Sequence, residues 1–251
     1  MQNISVVATR IAAAQLSGLR RTRTVVAAPP FTGLLTPGGS EYQSYAVGAV
    51  PGTAITDLGD SLAVLGPAFA PRPVRFELVD EASPGAAEAL LAAGLRETGR
   101  YPLLTVDTAD VLRPPTPEGA VVRVLATRQD AAEAQAVAAT AFGSPMSDDD
   151  PSPPGEPVDG GGVLATMDGR AVAAAFWTAV ADGVTEIAGV ATLPEYRNRG
   201  LGALVTAAAV EAARDLAGAS LAWLTPGGEG ADRIYRRVGF APVATAVHLT
   251  G

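Results

Sequence analysis

A chain of 251 residues, 48% of them hydrophobic, exceeds the usual length of one small α/β domain, so two domains are the starting expectation. Its formal net charge of −8 argues against nucleic acid as a general partner, because phosphate recognition rests on clustered Lys and Arg. Cysteine is absent, which excludes disulfides, a zinc–thiolate site, a Cys nucleophile and any thioester formed on the protein itself.

The first residues (Gln2, Asn3, Arg10) are polar and weakly basic and lack the order of a secretory signal. Nowhere do about 18 apolar residues run without a Gly, Pro or charge, so a cytoplasmic protein with no membrane span is expected. In the first half the apolar pattern predicts a helix over 4–19, a strand over 24–28, a helix over 55–69, a strand over 74–79, a helix over 85–95 and a strand over 101–106. That alternation reads as an α/β unit. Arg20-Arg21-x-Arg23 reads as solvated surface, and Gly38-Gly39 before Ser40 as a loop. Leu112 to Gly119, with three prolines and a glycine, forbids a continuing helix or central strand. The domain boundary is placed there, giving 1–117 and 118–251.

After the boundary, 120–125 is a predicted strand and 130–142 an alanine-rich helix. The breaker-rich stretch 143–162 is an expected exposed loop. Strands over 162–167 and 171–180 are joined by Asp168-Gly169, a two-residue hairpin signal, and Asp182-Gly183 turns the chain into a third strand over 184–192. A helix over 200–217, about 27 Å long, precedes a strand over 221–224, a short helix over 231–238 and a final strand over 243–249. The expected order is β-α-β-β-β-α-β-α-β, a mixed α/β sheet.

Chemistry concentrates where the third strand runs through Leu193-Pro194-Glu195-Tyr196 into Arg197-Asn198-Arg199-Gly200-Leu201-Gly202-Ala203 and directly into a helix. Free N–H groups at a helix start converge on one point, and glycines let backbone approach a diphosphate closely. A plain tight turn would look the same from Gly-x-Gly alone. A dinucleotide site needs a βαβ unit, and here three antiparallel strands precede the loop.

Arg197-x-x-Gly200-x-Gly202 resembles the acetyl-CoA pyrophosphate loop of the GCN5-related N-acetyltransferases (GNAT). Ala231-Asp-Arg-Ile-Tyr235-Arg-Arg-Val-Gly239-Phe240 resembles that family's second signature, a short helix ending in Tyr-x-x-x-Gly-Phe. The resemblance covers about 118–251. It implies a GNAT fold in which amides from Asn198 to Ala203 (Asn198, Arg199, Gly200, Leu201, Gly202, Ala203) hold the pyrophosphate behind Arg197. It also implies that strand atoms of Val190, Ala191 and Thr192 pair with the pantetheine arm. Where members often carry Asn, seven positions before the tyrosine, this chain has Gly228, so a contact there is missing or supplied by Thr225 or water. Segment 73–104 resembles the degenerate N-terminal lobe of two-lobed GNAT proteins.

An attacking amine of pKa about 10 must lose a proton, the tetrahedral oxyanion needs a donor, and the thiolate must leave. The resemblance assigns the acid near the thiolate to Tyr235, the alternative being a tyrosine that packs the thiol. Glu186 lies eleven residues before Arg197, the spacing of the base in histone-acetyltransferase-like members; the alternative is a glutamate that orders water. Strand alternation puts Glu186 on one face with Val190 and Thr192. Asp148, Asp149 and Asp150, on the family's acceptor side, are candidate grips for a cationic acceptor, or a solvated loop.

His248 is the only histidine, so a Ser-His-Asp triad or multi-His metal site would have to pass through it. It is expected to pack on the last strand, and no metal is expected. Trp177 and Trp223 are expected in the core or cleft wall. The expectation is an N-acetyltransferase, monomeric or homodimeric, using acetyl-CoA and a small-molecule or peptide amine. The rival is a non-catalytic acyl-CoA sensor. Transfer from aminoacyl-tRNA, known for some two-lobed relatives, fits poorly with the intact loop and the negative charge.

Overall fold

The computed structural model describes residues 4–36, 43–143 and 154–251. Two compact units divide the chain: Met1–Leu104 with Pro242–Gly251, and Thr105–Ala241. These divisions lie before and after the proline-rich segment in which a boundary was expected.

The first unit begins with helix α1 (Ile4–Thr22) and strands β1 (Thr24–Ala28), β2 (Phe31–Leu35) and β3 (Tyr45–Gly48). Helix α2 (Ser61–Phe69), strand β4 (Arg75–Val79), helix α3 (Ala86–Ala92) and the long strand β5 (Arg96–Asp107) follow, the end of β5 belonging to the second unit. The chain's final strand, β11 (Ala241–Thr250), pairs antiparallel with β4 from Ala246↔Val79 to Thr250↔Arg75. β1, β2 and β3 form an antiparallel meander, and β3 runs parallel to β4. One sheet face buries Phe31, Phe76, Val247 and Leu249 with Leu65 of α2 and Leu90 of α3. Leu34, Tyr45 and Val47 pack with Leu16 and Leu19 of α1.

Helix α2 is shorter than the apolar pattern predicts because the Asp57 carboxylate accepts the Gly59 N–H at 2.9 Å, a local turn that competes with helix. Strands β2 and β3 were not anticipated. The expected loop at Gly38-Gly39 lies outside the described residues.

The second unit contains β6 (Ala120–Val124), α4 (Arg128–Phe142), β7 (Gly160–Met167), β8 (Arg170–Thr178), β9 (Val184–Thr192), α5 (Leu201–Ala217), β10 (Leu221–Leu224) and α6 (Glu229–Arg237). With β11, these keep the expected element order. β6, β7, β8 and β9 are successively antiparallel, and β10 pairs parallel with β9. Both predicted Asp-Gly turns have positive φ at both positions: 50° and 80° at Asp168 and Gly169, 48° and 69° at Asp182 and Gly183. That geometry follows strand twist, which is why Asp-Gly joins hairpins so well. Helix α5 is buried along most of its length, with Leu201, Leu204, Val205 and Val210 inside. Leu164, Ala174 and Ala191 pack with Ala134 and Val137 of α4.

A capping box opens α4. The Thr127 hydroxyl accepts the Asp130 N–H at 3.1 Å, while the Asp130 carboxylate accepts the N–H of Thr127 at 2.9 Å and of Ala126 at 3.2 Å. Arg123 donates to the other carboxylate oxygen at 2.9 Å. The Thr127 hydroxyl, Arg123 and these amides hold the Asp130 pKa down at about 2. Because the folded value is depressed, this stabilisation is complete above the unfolded value near 4 and is lost as pH falls through about 2. Asp130→Ala should lower unfolding free energy at pH 7 by about 2 kcal/mol, with the difference shrinking between about pH 4 and 2. Urea denaturation over that pH range checks it; equal stability at pH 7 would contradict it.

Candidate active site

Strand β9 carries the site's geometry. Its register with β10 runs from Leu221↔Val184 to Trp223↔Glu186, after which β9 continues to Thr192 beside β8. Along β8, Phe176 faces Ala188 and Ala174 faces Ala191, so Gly189 and Val190 stand opposite the single residue Ala175. This is a β-bulge. Gly189 has φ 58°, and a Cβ there would lie 2.8 Å from Cδ2 of Phe176, so glycine is required twice over.

The bulge corrects the alternation expected for Glu186. Cross-strand partners share a face, so Ala188 and Ala191 are on one side, with Glu186 continuing it. Val190 and Thr192 point to the other side, where the Thr192 hydroxyl lies near Gly202 of α5. Glu186 thus shares its face with Phe176 and with the apolar patch covered by α4. Its backbone N–H donates to the Thr178 hydroxyl at 3.1 Å, a supporting residue the sequence reading missed.

Beyond β9, a single helical turn at Pro194–Tyr196 leads through Arg197 to Asn198 (φ 63°) and Gly200 (φ 82°). Gly200 is the N-cap of α5; no side chain caps the helix and no acidic residue lies in its first turn. Its first backbone bond runs from Leu204 N–H to Gly200 C=O. The N–H groups of Leu201, Gly202 and Ala203 precede that bond and point out of the helix end. A Cβ on Gly200 would meet nothing within 4 Å. Open space lies where an anion would need it, so these residues fit a diphosphate.

Three elements converge beside this end. A Cβ on Gly202 would come 3.6 Å from Ile234 Cδ1 on α6 and 3.8 Å from the Thr192 hydroxyl on β9. The neighbour of Ile234, Tyr235, is buried, and burial pushes its phenol up to about 12. Gly228 is the N-cap of helix α6, and the helix is followed by the Gly239-Phe240 turn, where the Phe240 N–H donates to the Tyr235 carbonyl at 3.1 Å.

The arginines of the loop are engaged in bracing it. Arg197 donates to the carbonyls of Thr192 and Ala141, and Arg199 donates to the Glu195 carbonyl and lies over the Tyr196 ring. Trp177 and Trp223 are buried, Trp177 donating its indole N–H to the Pro157 carbonyl at 2.9 Å. His248 packs edge-on to Tyr101 in the first unit, and burial, with Arg75 nearby, lowers its pKa to about 4. Asp148, Asp149 and Asp150 lie outside the described residues. Among the described residues, no group of three or more His, Asp or Glu is placed to hold a metal ion.

Residues 132–240 match the model of the acetyltransferase (GNAT) family. A GCN5-related N-acetyltransferase from Kribbella flavida is 48% identical, with 97% of this chain and 95% of that one covered at a TM-score of 0.85. The chain belongs to the GNAT family. As a GNAT chain it is an acyltransferase. The GCN5-related N-acetyltransferase from Sphaerobacter thermophilus shares the fold at 18% identity, 88% and 76% coverage and a TM-score of 0.58. A tandem GNAT protein from the clavulanic acid biosynthesis pathway does so at 12% identity, 94% and 86% coverage and 0.56. The comparison with curated proteins finds no match.

Gly189→Ala should cost about 2 kcal/mol, since it forces a non-glycine residue to positive φ and a methyl into Phe176. Gly169→Ala, at φ 80° with nothing within 4 Å of its Cβ, should cost only about 1 kcal/mol. Adding Phe176→Leu to Gly189→Ala should recover part of the loss in urea denaturation. Equal costs for both glycines, with no recovery, would show that the bulge accommodates a side chain.

Proposed function

We propose that this GNAT chain transfers an acetyl group from acetyl-CoA to a primary amine of a small molecule or peptide, by direct attack in a ternary complex. The observation that carries this reading is the uncapped start of α5, where the amides of Leu201, Gly202 and Ala203 open onto space beside the positive-φ Gly200. Together with Asn198 and Arg199, those amides would hold the pyrophosphate. Beyond its register with β10, β9 offers Val190, Ala191 and Thr192 as strand partners for the pantetheine amides. Acetyl-CoA supplies the activated acetyl group when bound; the protein positions it and moves protons.

Glu186 is the proposed base, its face set by the bulge. The Val190 N–H is the proposed donor to the tetrahedral oxyanion. Tyr235 is the proposed acid. A phenol at about 12 is a weaker acid than a thiol of about 8.5, so complete proton transfer to the sulfur would be uphill. Tyr235 therefore acts chiefly as a neutral hydrogen-bond donor that shares the thiolate's developing charge. An acidic chain bearing Asp148, Asp149 and Asp150 favours polyamine-like, aminoglycoside-like or basic peptide acceptors.

The N-terminal region, 1–117 in the sequence division, is proposed as a degenerate GNAT-like lobe; the likeness to a tandem GNAT protein over 94% of this chain supports that. A cytoplasmic monomer or homodimer fits this reading, and no described helix is long and apolar enough to cross a membrane.

Gly200→Glu should abolish CoA binding in calorimetry, because it places charge and bulk where the diphosphate sits. Unaltered affinity in the folded variant would remove the proposal. Tyr235→Phe should lower kcat about 10²-fold with acetyl-CoA affinity nearly unchanged. Since its phenol stays protonated to about 12, the wild-type pH–rate profile should show no loss of activity from Tyr235 between pH 7 and 10. CoA binding without amine-dependent thiol release over a broad amine panel would favour a sensor instead.

A further inference from the structure

Arg197 opens the glycine-rich loop, and its exposed side chain folds back onto backbone carbonyls on either side of it. Nε donates to the Thr192 carbonyl at the end of β9 (3.3 Å), and Nη2 donates to the Ala141 carbonyl (3.1 Å). Ala141 lies in the last turn of α4, where carbonyls have no partner within the helix. A cation is also favoured there by the helix dipole. One side chain therefore joins the end of β9, the loop before α5 and the carboxyl end of α4.

The helix so held is not remote from the chemistry. Val137, Ala138 and Ala141 of α4 pack with Ala174, Phe176 and Ala191, residues on the same sheet face as Glu186. Helix α4 thus walls the face from which the proposed base works, while the loop at the other end of Arg197 presents the proposed pyrophosphate amides.

We infer that Arg197 is a positioning residue that couples the two: a pyrophosphate in the loop fixes the Arg197 backbone, and the guanidinium passes that order to the last turn of α4. Resting on the proposed cofactor site, this coupling orders the α4 wall of the Glu186 face when acetyl-CoA is bound. By linkage, whatever α4 gains in order from the cofactor, the cofactor gains in affinity from α4.

The test uses the full chain with CoA as the probe, following hydrogen exchange of the peptide Ala138 to Gly143 by mass spectrometry alongside calorimetry. Saturating CoA should slow exchange there about tenfold in the wild type and less than about twofold in Arg197→Met, which should bind CoA several-fold more weakly. Arg197→Lys keeps the charge but not the two-pronged reach, and should give intermediate protection. If the Met variant is unfolded or binds no CoA, the Lys variant decides, and wild-type protection in it overturns the inference. Unchanged exchange in a wild type that binds CoA, or full protection in Arg197→Met, also overturns the inference and leaves the cofactor reading standing. A wild type that fails to bind CoA removes both.

Discussion

In the second unit, β9 cannot satisfy all of its backbone by pairing. It runs parallel to β10 only from Val184 to Glu186 and then continues to Thr192 along β8. Backbone donors and acceptors in a folded core need partners, and a strand leaving its neighbour offers them to something else. The same segment carries the bulge at Gly189 and Val190, which sets the face of Glu186 and turns Thr192 toward α5. The loop then delivers the uncapped amides of α5 beside Thr192 and α6. Unpaired strand edge, open helix start and the side on which the Glu186 carboxylate stands are thus set by one strand, through its departure from β10 and its bulge against β8.

The glycine-rich turn that opens α5 was legible in the sequence because its backbone restricts residue choice. Gly200 stands at positive φ at a helix start, and few residues other than glycine do so at low cost. Both Asp-Gly hairpins were legible for the same reason. The face of Glu186 was not: counting by twos assumes an unbroken strand, and one extra residue reverses every side chain beyond it. Gly189 was the available signal, an isolated glycine within a strand pattern.

In the first unit, local pattern located β1 but not β2 or β3. The prolines at 29 and 30 precede β2, and such breakers read as loop when the pairing partner is unknown. Likewise the final strand could be recognised, but not its neighbour. Its pairing with β4, which buries Val247 and Leu249 beside Phe76, depends on contacts distant in sequence. The half-buried His248 and the buried Tyr235 show environment setting chemical character: burial is the first cause of both shifts, keeping the imidazole neutral to about 4 and the phenol protonated to about 12.

The central claim is that a diphosphate of CoA is held by the backbone at the start of α5. Amide resonances of the isotope-labelled full chain, followed during a CoA titration, report on those groups one by one. The N–H signals of Leu201, Gly202 and Ala203 should move together, more than those in the middle of α5, and saturate at one CoA concentration. Saturable CoA binding that leaves these three amides unmoved, or no binding at all, would contradict the account.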